Sequence, residues 1–119
     1  MDKPRYFGTD GIRDVANRGM LTPERVLALG RGLGALARES TGSVAIAMDP
    51  RRSSALLRAA LSSGIASEGA HVLDLGVLPT PALAVLLRPM RAAYGAMVSA
   101  SHNPAQDNGI KILNADGSK

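Results

Sequence analysis

Apolar residues recur at steps of three and four over residues 26–36, where Val26, Leu29, Leu33 and Leu36 form one stripe. This is the spacing of an amphipathic helix. Thr22 precedes it as an N-cap, with Pro23 at the first helical position and Glu24 in the first turn. Ser40-Thr41-Gly42 predicts its end. Leu56, Leu57, Ala60, Leu61 and Ile65 mark a second helix that stops around Gly69. Thr80-Pro81 repeats the cap-then-proline signal and opens a shorter helix closed by Pro89. Between the helices lie short apolar runs at 44–48, 72–75 and 93–98, with another at 110–113. The run at 44–48 is unbroken and bounded by polar residues, the mark of a strand buried on both faces, and the other three read as further strands. Before all of these, Tyr6-Phe7-Gly8-Thr9-Asp10-Gly11-Ile12-Arg13 reads as an extended piece interrupted by two glycines.

Strands alternating with helices imply right-handed crossovers and a mostly parallel sheet covered on both faces. The chain is long enough for one domain, residues 1–119. Its last residues, Asn114-Ala115-Asp116-Gly117-Ser118-Lys119, have turn composition, and the reading is of a C-terminally incomplete piece of something longer. The strand containing Ile110 and Ile112 is then expected to leave apolar surface uncovered, with self-association as the consequence.

Composition narrows the function classes. Apolar residues make up 45% and charged residues 20%, ordinary for a globular protein. No apolar run approaches the roughly 20 residues of a membrane helix, and the first residues do not resemble a secretory signal. The absence of cysteine excludes disulfides and thiol chemistry and fits a cytoplasmic location. The net charge of +4 is scattered among acidic residues, and aromatics are only 3%, so no nucleic-acid partner is expected. A phosphorylated small molecule is the better use of the excess charge.

The chemistry concentrates in Ser99-Ala100-Ser101-His102-Asn103-Pro104, followed by Asp107-Asn108-Gly109-Ile110-Lys111. A hydroxyl, an imidazole and an amide follow an apolar run, and Pro104 with the Asn108-Gly109 pair is expected to redirect the backbone. A serine needs a base, a strong electrophile or prior modification to act as a nucleophile. His102 is a candidate base, although adjacent strand residues point in opposite directions, and no G-x-S-x-G elbow surrounds Ser101. The alternative is that Ser101, His102 and Asn103 only cap and hydrogen-bond a turn. Lys111 offers a point cation to phosphate and Arg13 a forked one. Asp49 and Arg51 read as a strand-end pair that holds a loop, and His71 as a rim residue. Two distant histidines without cysteine are a poor basis for zinc, and the dispersed acids do not make a self-contained magnesium site. Gly30, Gly32 and Gly34 lie inside a helix pattern, not after a strand, so they do not form a dinucleotide fingerprint.

Three segments in order, residues 7–13, Gly76-Val77-Leu78-Pro79-Thr80-Pro81 and the Ser101 segment, closely resemble the α-D-phosphohexomutases. The opening at 6–13, Val15-Ala16-Asn17 and Leu21-Thr22-Pro23-Glu24 resemble the bacterial phosphoglucosamine mutase branch of that family. The resemblance implies domain I of a four-domain enzyme: a three-layer α/β/α domain with a mixed, mostly parallel four-stranded sheet. It implies that Ser101 is a phosphoserine that passes its phosphoryl group to a hexosamine monophosphate. A bisphosphorylated sugar intermediate then returns the other phosphoryl group, interconverting glucosamine 6-phosphate and glucosamine 1-phosphate. By the same resemblance Lys111 and Arg13 serve proton transfer and charge stabilisation, and His102 bonds the phosphoryl group or sugar. Thr9 and Asn103 contact substrate, and Mg²⁺ sits on the phosphate of Ser101. The remaining metal ligands, the sugar-recognition loop and a phosphate-binding loop belong to later domains of the same polypeptide, whose full-length form is compatible with a homodimer. A bisphosphorylated hexosamine or hexose is the implied activator.

Two positions depart from the family pattern. Asp14 stands where glycine usually follows the arginine, and Pro50 replaces threonine between Asp49 and Arg51. Other readings remain: a relative acting on phosphomannose or phosphoglucose, or a non-catalytic phosphate-binding module.

Overall fold

The structure, a computed structural model, describes residues 12–15, 21–99 and 107–119. Its elements are β1 (Ile12–Val15), α1 (Pro23–Arg38), β2 (Ser43–Met48), α2 (Arg52–Ser67), β3 (His71–Val77), α3 (Thr80–Leu86), β4 (Tyr94–Val98) and β5 (Asp107–Asn114).

α1 begins as its sequence predicts. Thr22 is extended and its side chain accepts a hydrogen bond from the Arg25 N–H at 3.4 Å, with Pro23 directly after it. The buried face differs from the predicted stripe by one position: Val26, Leu33 and Ala37 are buried, whereas Leu36 is half exposed. The reason is the neighbour. α1 lies against α2 as well as the sheet, so its inner face includes Gly30 and Gly34. The helix ends predicted near residues 42 and 69 fall slightly earlier, at Arg38 and Ser67 with Glu39 and Glu68 as C-caps, and the chain then turns at Gly42 and Gly69, both in the left-handed region with φ of 81° and 84°. At α3 the N-cap is Pro79, one residue before the expected Thr80, and no side chain caps the helix. Proline carries no side-chain acceptor, so its carbonyl takes the N–H groups of Ala82 and Leu83 instead.

The sheet order is β1-β5-β4-β2-β3. β3, β2 and β4 are parallel, and β5 returns antiparallel to β4. The four strands expected from apolar runs are all present, and part of the opening extended segment adds a short fifth, β1, paired antiparallel to β5. Asn108 and Gly109 are therefore strand residues. They do not form the predicted turn, because β1 pairs them in register, Asp14 opposite Asn108 and Arg13 opposite Gly109. In β3, Gly76 (φ 71°) marks a bulge where the register with β2 shifts, and its N–H bonds the Asp74 carboxylate, which also pairs with Arg58.

Strand side chains alternate between two cores. Val44, Ile46, Ala96, Val98 and Ile110 face α1 and α2, while Ala45, Ala47, Met97 and Leu113 face α3 with its Leu83 and the following Leu87. Three layers result. Against expectation, Ile110 is fully buried and Ile112 is partly buried against the same core. β5 is flanked by β1 and β4, so it is an interior strand and its apolar side chains are enclosed. Among the described residues the large exposed apolar side chains are Leu36, Leu56, Val77 and Val85. The last residues do form a turn: the Asn114 N–H bonds Ser118 O at 2.6 Å, and the Ser118 hydroxyl and N–H bond the exposed Asp116 carboxylate, holding it below its ordinary range.

α1 and α2 touch backbone to backbone. A Cβ built on Gly64 would stand 2.1 Å from Leu27 O, and one on Gly30 2.3 Å from Leu61 O. Gly32, on the same helix but outward, has nothing within 4 Å of its would-be Cβ. The contrast gives a paired prediction. Gly64→Ala should cost about 3 kcal/mol by forcing the helices apart, whereas Gly32→Ala should stabilise by about 0.5–1 kcal/mol through helix propensity. Urea unfolding at unchanged slope measures both, and equal midpoints for the two variants would contradict the contact.

Candidate active site

The parallel strands β2, β3 and β4 all end at one edge of the sheet, where ligands of open α/β sheets bind. Three chain segments meet there. Met48 leads into Asp49, Val77 into Leu78, and Val98 into Ser99. Backbone bonds tie them together: Asp49 N–H to Val98 O at 3.0 Å, and Leu78 N–H to Met48 O at 3.2 Å. β5 starts at this same edge, and the buried Ser99 donates its N–H to Gly109 O at 2.9 Å. The segment carrying Ser101 therefore leaves the described structure at Ser99 and re-enters it at Asp107.

Thr9, Ser101, His102 and Asn103 lie outside the described residues. Arg13 and Lys111 are placed. Arg13 is in β1 opposite Gly109, two positions along β5 from Lys111, so the backbone brings these candidates to adjoining strands. Lys111 is 9% exposed and lies opposite Met97, on the α3 side of the sheet, the reverse side from Ile110 and Ile112. His71 is exposed at the first position of β3, the amino edge, as its rim reading requires. Among the described residues no group of three or more His, Cys, Asp or Glu is placed to hold a metal ion.

Asp49 and Arg51 form the expected strand-end pair, with Arg51 Nε 3.3 Å from Asp49 Oδ2. Asp49 Oδ1 accepts from the Arg51 N–H at 3.2 Å and from the Ser54 hydroxyl at 2.6 Å. The bond skips position 50, so Pro50, which has no N–H, is accommodated where the family has threonine. The carboxylate also stands at the N-terminus of α2, whose N-cap Arg51 makes no side-chain cap.

One set of contacts had no signal in the sequence. Asn108 Nδ2 donates to Ser53 Oγ at 2.8 Å and Ser54 Oγ at 3.0 Å, and its Oδ1 accepts from the Gly109 N–H at 2.9 Å. Asn108 and Ser54 are completely buried. Partners more than fifty positions apart leave no trace in local spacing. Together with Asp49 they make a continuous chain of hydrogen bonds from β2 through the first turn of α2 to β5.

This chain of bonds has a measurable weight. Asp49→Ala leaves the buried Ser54 hydroxyl without its acceptor and removes the Asp49–Arg51 ion pair, and should cost about 2–3 kcal/mol. Ser54→Ala removes the donor itself and should cost nearer 1 kcal/mol. Thermal denaturation of the two variants checks the order, and an Asp49→Ala midpoint equal to the parent's would refute it.

Comparison with known proteins agrees with this architecture. The family model described as phosphoglucomutase/phosphomannomutase, alpha/beta/alpha domain I, matches residues 4–119. Phosphoglucosamine mutase of Symbiobacterium thermophilum is 52% identical over 119 residues, covering 98% of this chain and 27% of that protein. A phosphoglucosamine mutase of Thermus thermophilus is 54% identical over 117 residues, covering 97% of this chain and 27% of its own length. A crystal structure from Thermus thermophilus that carries a phosphomannomutase assignment superposes with a TM-score of 0.76 at 39% identity, covering 98% of this chain and 27% of that one. The chain thus spans about a quarter of the length of the curated relatives it matches. On the match over residues 4–119 and the shared three-layer architecture, the chain belongs to the phosphoglucomutase/phosphomannomutase family, as its α/β/α domain I.

Proposed function

We propose that this chain is the phosphoserine-bearing first domain of a phosphoglucosamine mutase that interconverts glucosamine 6-phosphate and glucosamine 1-phosphate. The observation that carries the reading is identity of 52–54% over nearly the whole chain to relatives of that name. The geometry supports it: both ends of the Ser101 segment are tied at the ligand-binding edge of the sheet, beside a buried lysine.

In the proposed cycle the Ser101 phosphate passes to the free hydroxyl of the sugar monophosphate. The serine O–P bond breaks as the sugar O–P bond forms, the sugar hydroxyl loses its proton and the serine oxygen gains one. The bisphosphorylated sugar then turns over and returns its other phosphoryl group to Ser101, so no phosphate is gained or lost. Such transfers need positioning and charge neutralisation more than a strong base. Lys111 and Arg13 supply cations and a proton relay, His102 bonds the phosphoryl group, and Thr9 and Asn103 contact the sugar phosphate. A bisphosphorylated hexosamine or hexose primes Ser101.

Mg²⁺ on the Ser101 phosphate would neutralise oxygen charge. The family resemblance assigns the other ligands to later domains of the polypeptide, and no step here depends on them. A cytoplasmic location and supply of the precursor of UDP-N-acetylglucosamine and the cell wall belong to the same proposal. A second reading, mutase activity on phosphomannose or phosphoglucose, is favoured by the phosphomannomutase assignment of the structural neighbour. A substrate panel on the full-length enzyme separates the two.

Two outcomes test the proposal. In the full-length enzyme Ser101→Ala should reduce turnover by at least about a thousandfold, and intact mass should show one phosphate on the parent and none on the variant. The 119-residue chain alone should show no turnover, and Ser101-dependent activity in it would defeat the assignment of the remaining site to later domains. A parent serine that never accepts phosphate from a hexose bisphosphate would favour a non-catalytic phosphate-binding module.

A further inference from the structure

We infer that Asn108 is a positioning residue for the Ser101 segment, acting through Ser53, Ser54 and Asp49. The inference rests on the mutase reading above and adds to it a residue that touches neither sugar nor phosphate.

The argument begins with desolvation. Asn108 and Ser54 have no exposed surface, next to an apolar core that includes Leu57, Val98 and Ile110. Burying an amide and a hydroxyl is costly unless each is bonded, and apolar residues of similar volume would serve stability as well. Here every bond is directed. The amide nitrogen reaches two hydroxyls on the first turn of α2, the amide oxygen takes the next residue's N–H, and Ser54 donates its own proton to Asp49. Asp49 in turn is bonded through its N–H to Val98 O, on the strand that delivers the chain to Ser99. The network therefore joins the exit of the Ser101 segment to its entrance.

The second tie is shorter. Ser99 donates to Gly109 O, the residue immediately after Asn108. Entrance and exit are locked both directly across β4 and β5 and indirectly through α2. The described residues on either side of the segment, Ser99 and Asn108, are thus both held, and Ser101 follows Ser99 by two positions in the sequence. Transfer rates fall steeply when a reacting group is misplaced by even about 1 Å, by roughly a hundredfold. A clamp on both points is a means of holding the serine oxygen to that tolerance. The sugar-recognition loop is assigned to later domains and no residue of the network touches sugar, so loosening the clamp should slow the chemical step much more than it weakens substrate affinity.

The test uses the full-length enzyme, with rates normalised to the fraction of Ser101 that accepts phosphate from glucose 1,6-bisphosphate, read by intact mass. Asn108→Ala should lower kcat by about tenfold or more with KM for glucosamine phosphate within about threefold. Ser54→Ala should do the same to a smaller degree, and the double variant should be no slower than Asn108→Ala alone, because one network is cut twice. Gly42→Ala, at the amino edge of the sheet where φ is 81°, is the control for destabilisation; its kcat per phosphorylated serine should match the parent's. Should Asn108→Ala fail to fold, Ser53→Ala and Ser54→Ala read the same network from the helix side. The inference is overturned if these variants keep the parent's normalised kcat, if KM rises in step with the loss of rate, if the losses multiply, or if Gly42→Ala slows turnover equally. A parent enzyme that does not turn over sugar phosphates would instead overturn the mutase reading, and the positioning role with it.

Discussion

The reversal of direction between β4 and β5 is the constraint on which the rest of this domain depends. β2, β3 and β4 run parallel, each followed by a helix or loop at the same edge. Because β5 comes back alongside β4, with Val98 opposite Ile110, β4 ends and β5 begins at that same edge. A parallel continuation would need a crossover of a dozen or more residues and would carry the chain to the far edge. The antiparallel return keeps the serine segment short and pinned at both ends. It also makes β5 an interior strand, which is why Ile110 and Lys111 are enclosed.

That arrangement needs α2 held at a definite height, since its first turn meets Asn108. Two features set it. Close contact between α1 and α2, allowed by Gly30, Gly34 and Gly64, brings the helix backbones together and leaves little room for sliding. The Asp49 carboxylate then anchors the N-terminus of α2 by bonds to Arg51 and Ser54. Packing fixes the helix and polar bonds fix its end, so the two kinds of interaction divide the work. The tight core also explains why ordinary residues at the interface would be felt at the edge.

The same edge has a division of faces. Asn108 lies on the α1–α2 side of β5, whereas Lys111 lies on the α3 side. Structural bonds thus occupy one face at the start of β5 and the cation the other. Under the mutase reading this separates support from chemistry. The relatives that the chain matches are about four times as long.

Much of this could be read along the chain. Thr22-Pro23, the turn glycines at 42 and 69 and the four apolar runs located all three helices and four strands, because caps, left-handed turns and burial act within a few residues. The Asp49–Arg51 pair was legible for the same reason, and the ordered motifs around Ser101 pointed to the family. Other features were decided only in three dimensions. Leu36 faces outward and Gly30 inward because of where α2 lies, and Asn108-Gly109 is strand, not turn, because β1 pairs with it. The bond from Asn108 to Ser54 joins residues 54 positions apart. Local order follows from each residue's own backbone preferences and neighbours, which a sequence records directly. Contacts across the fold depend on the register and packing of whole elements, and no single stretch of chain contains them.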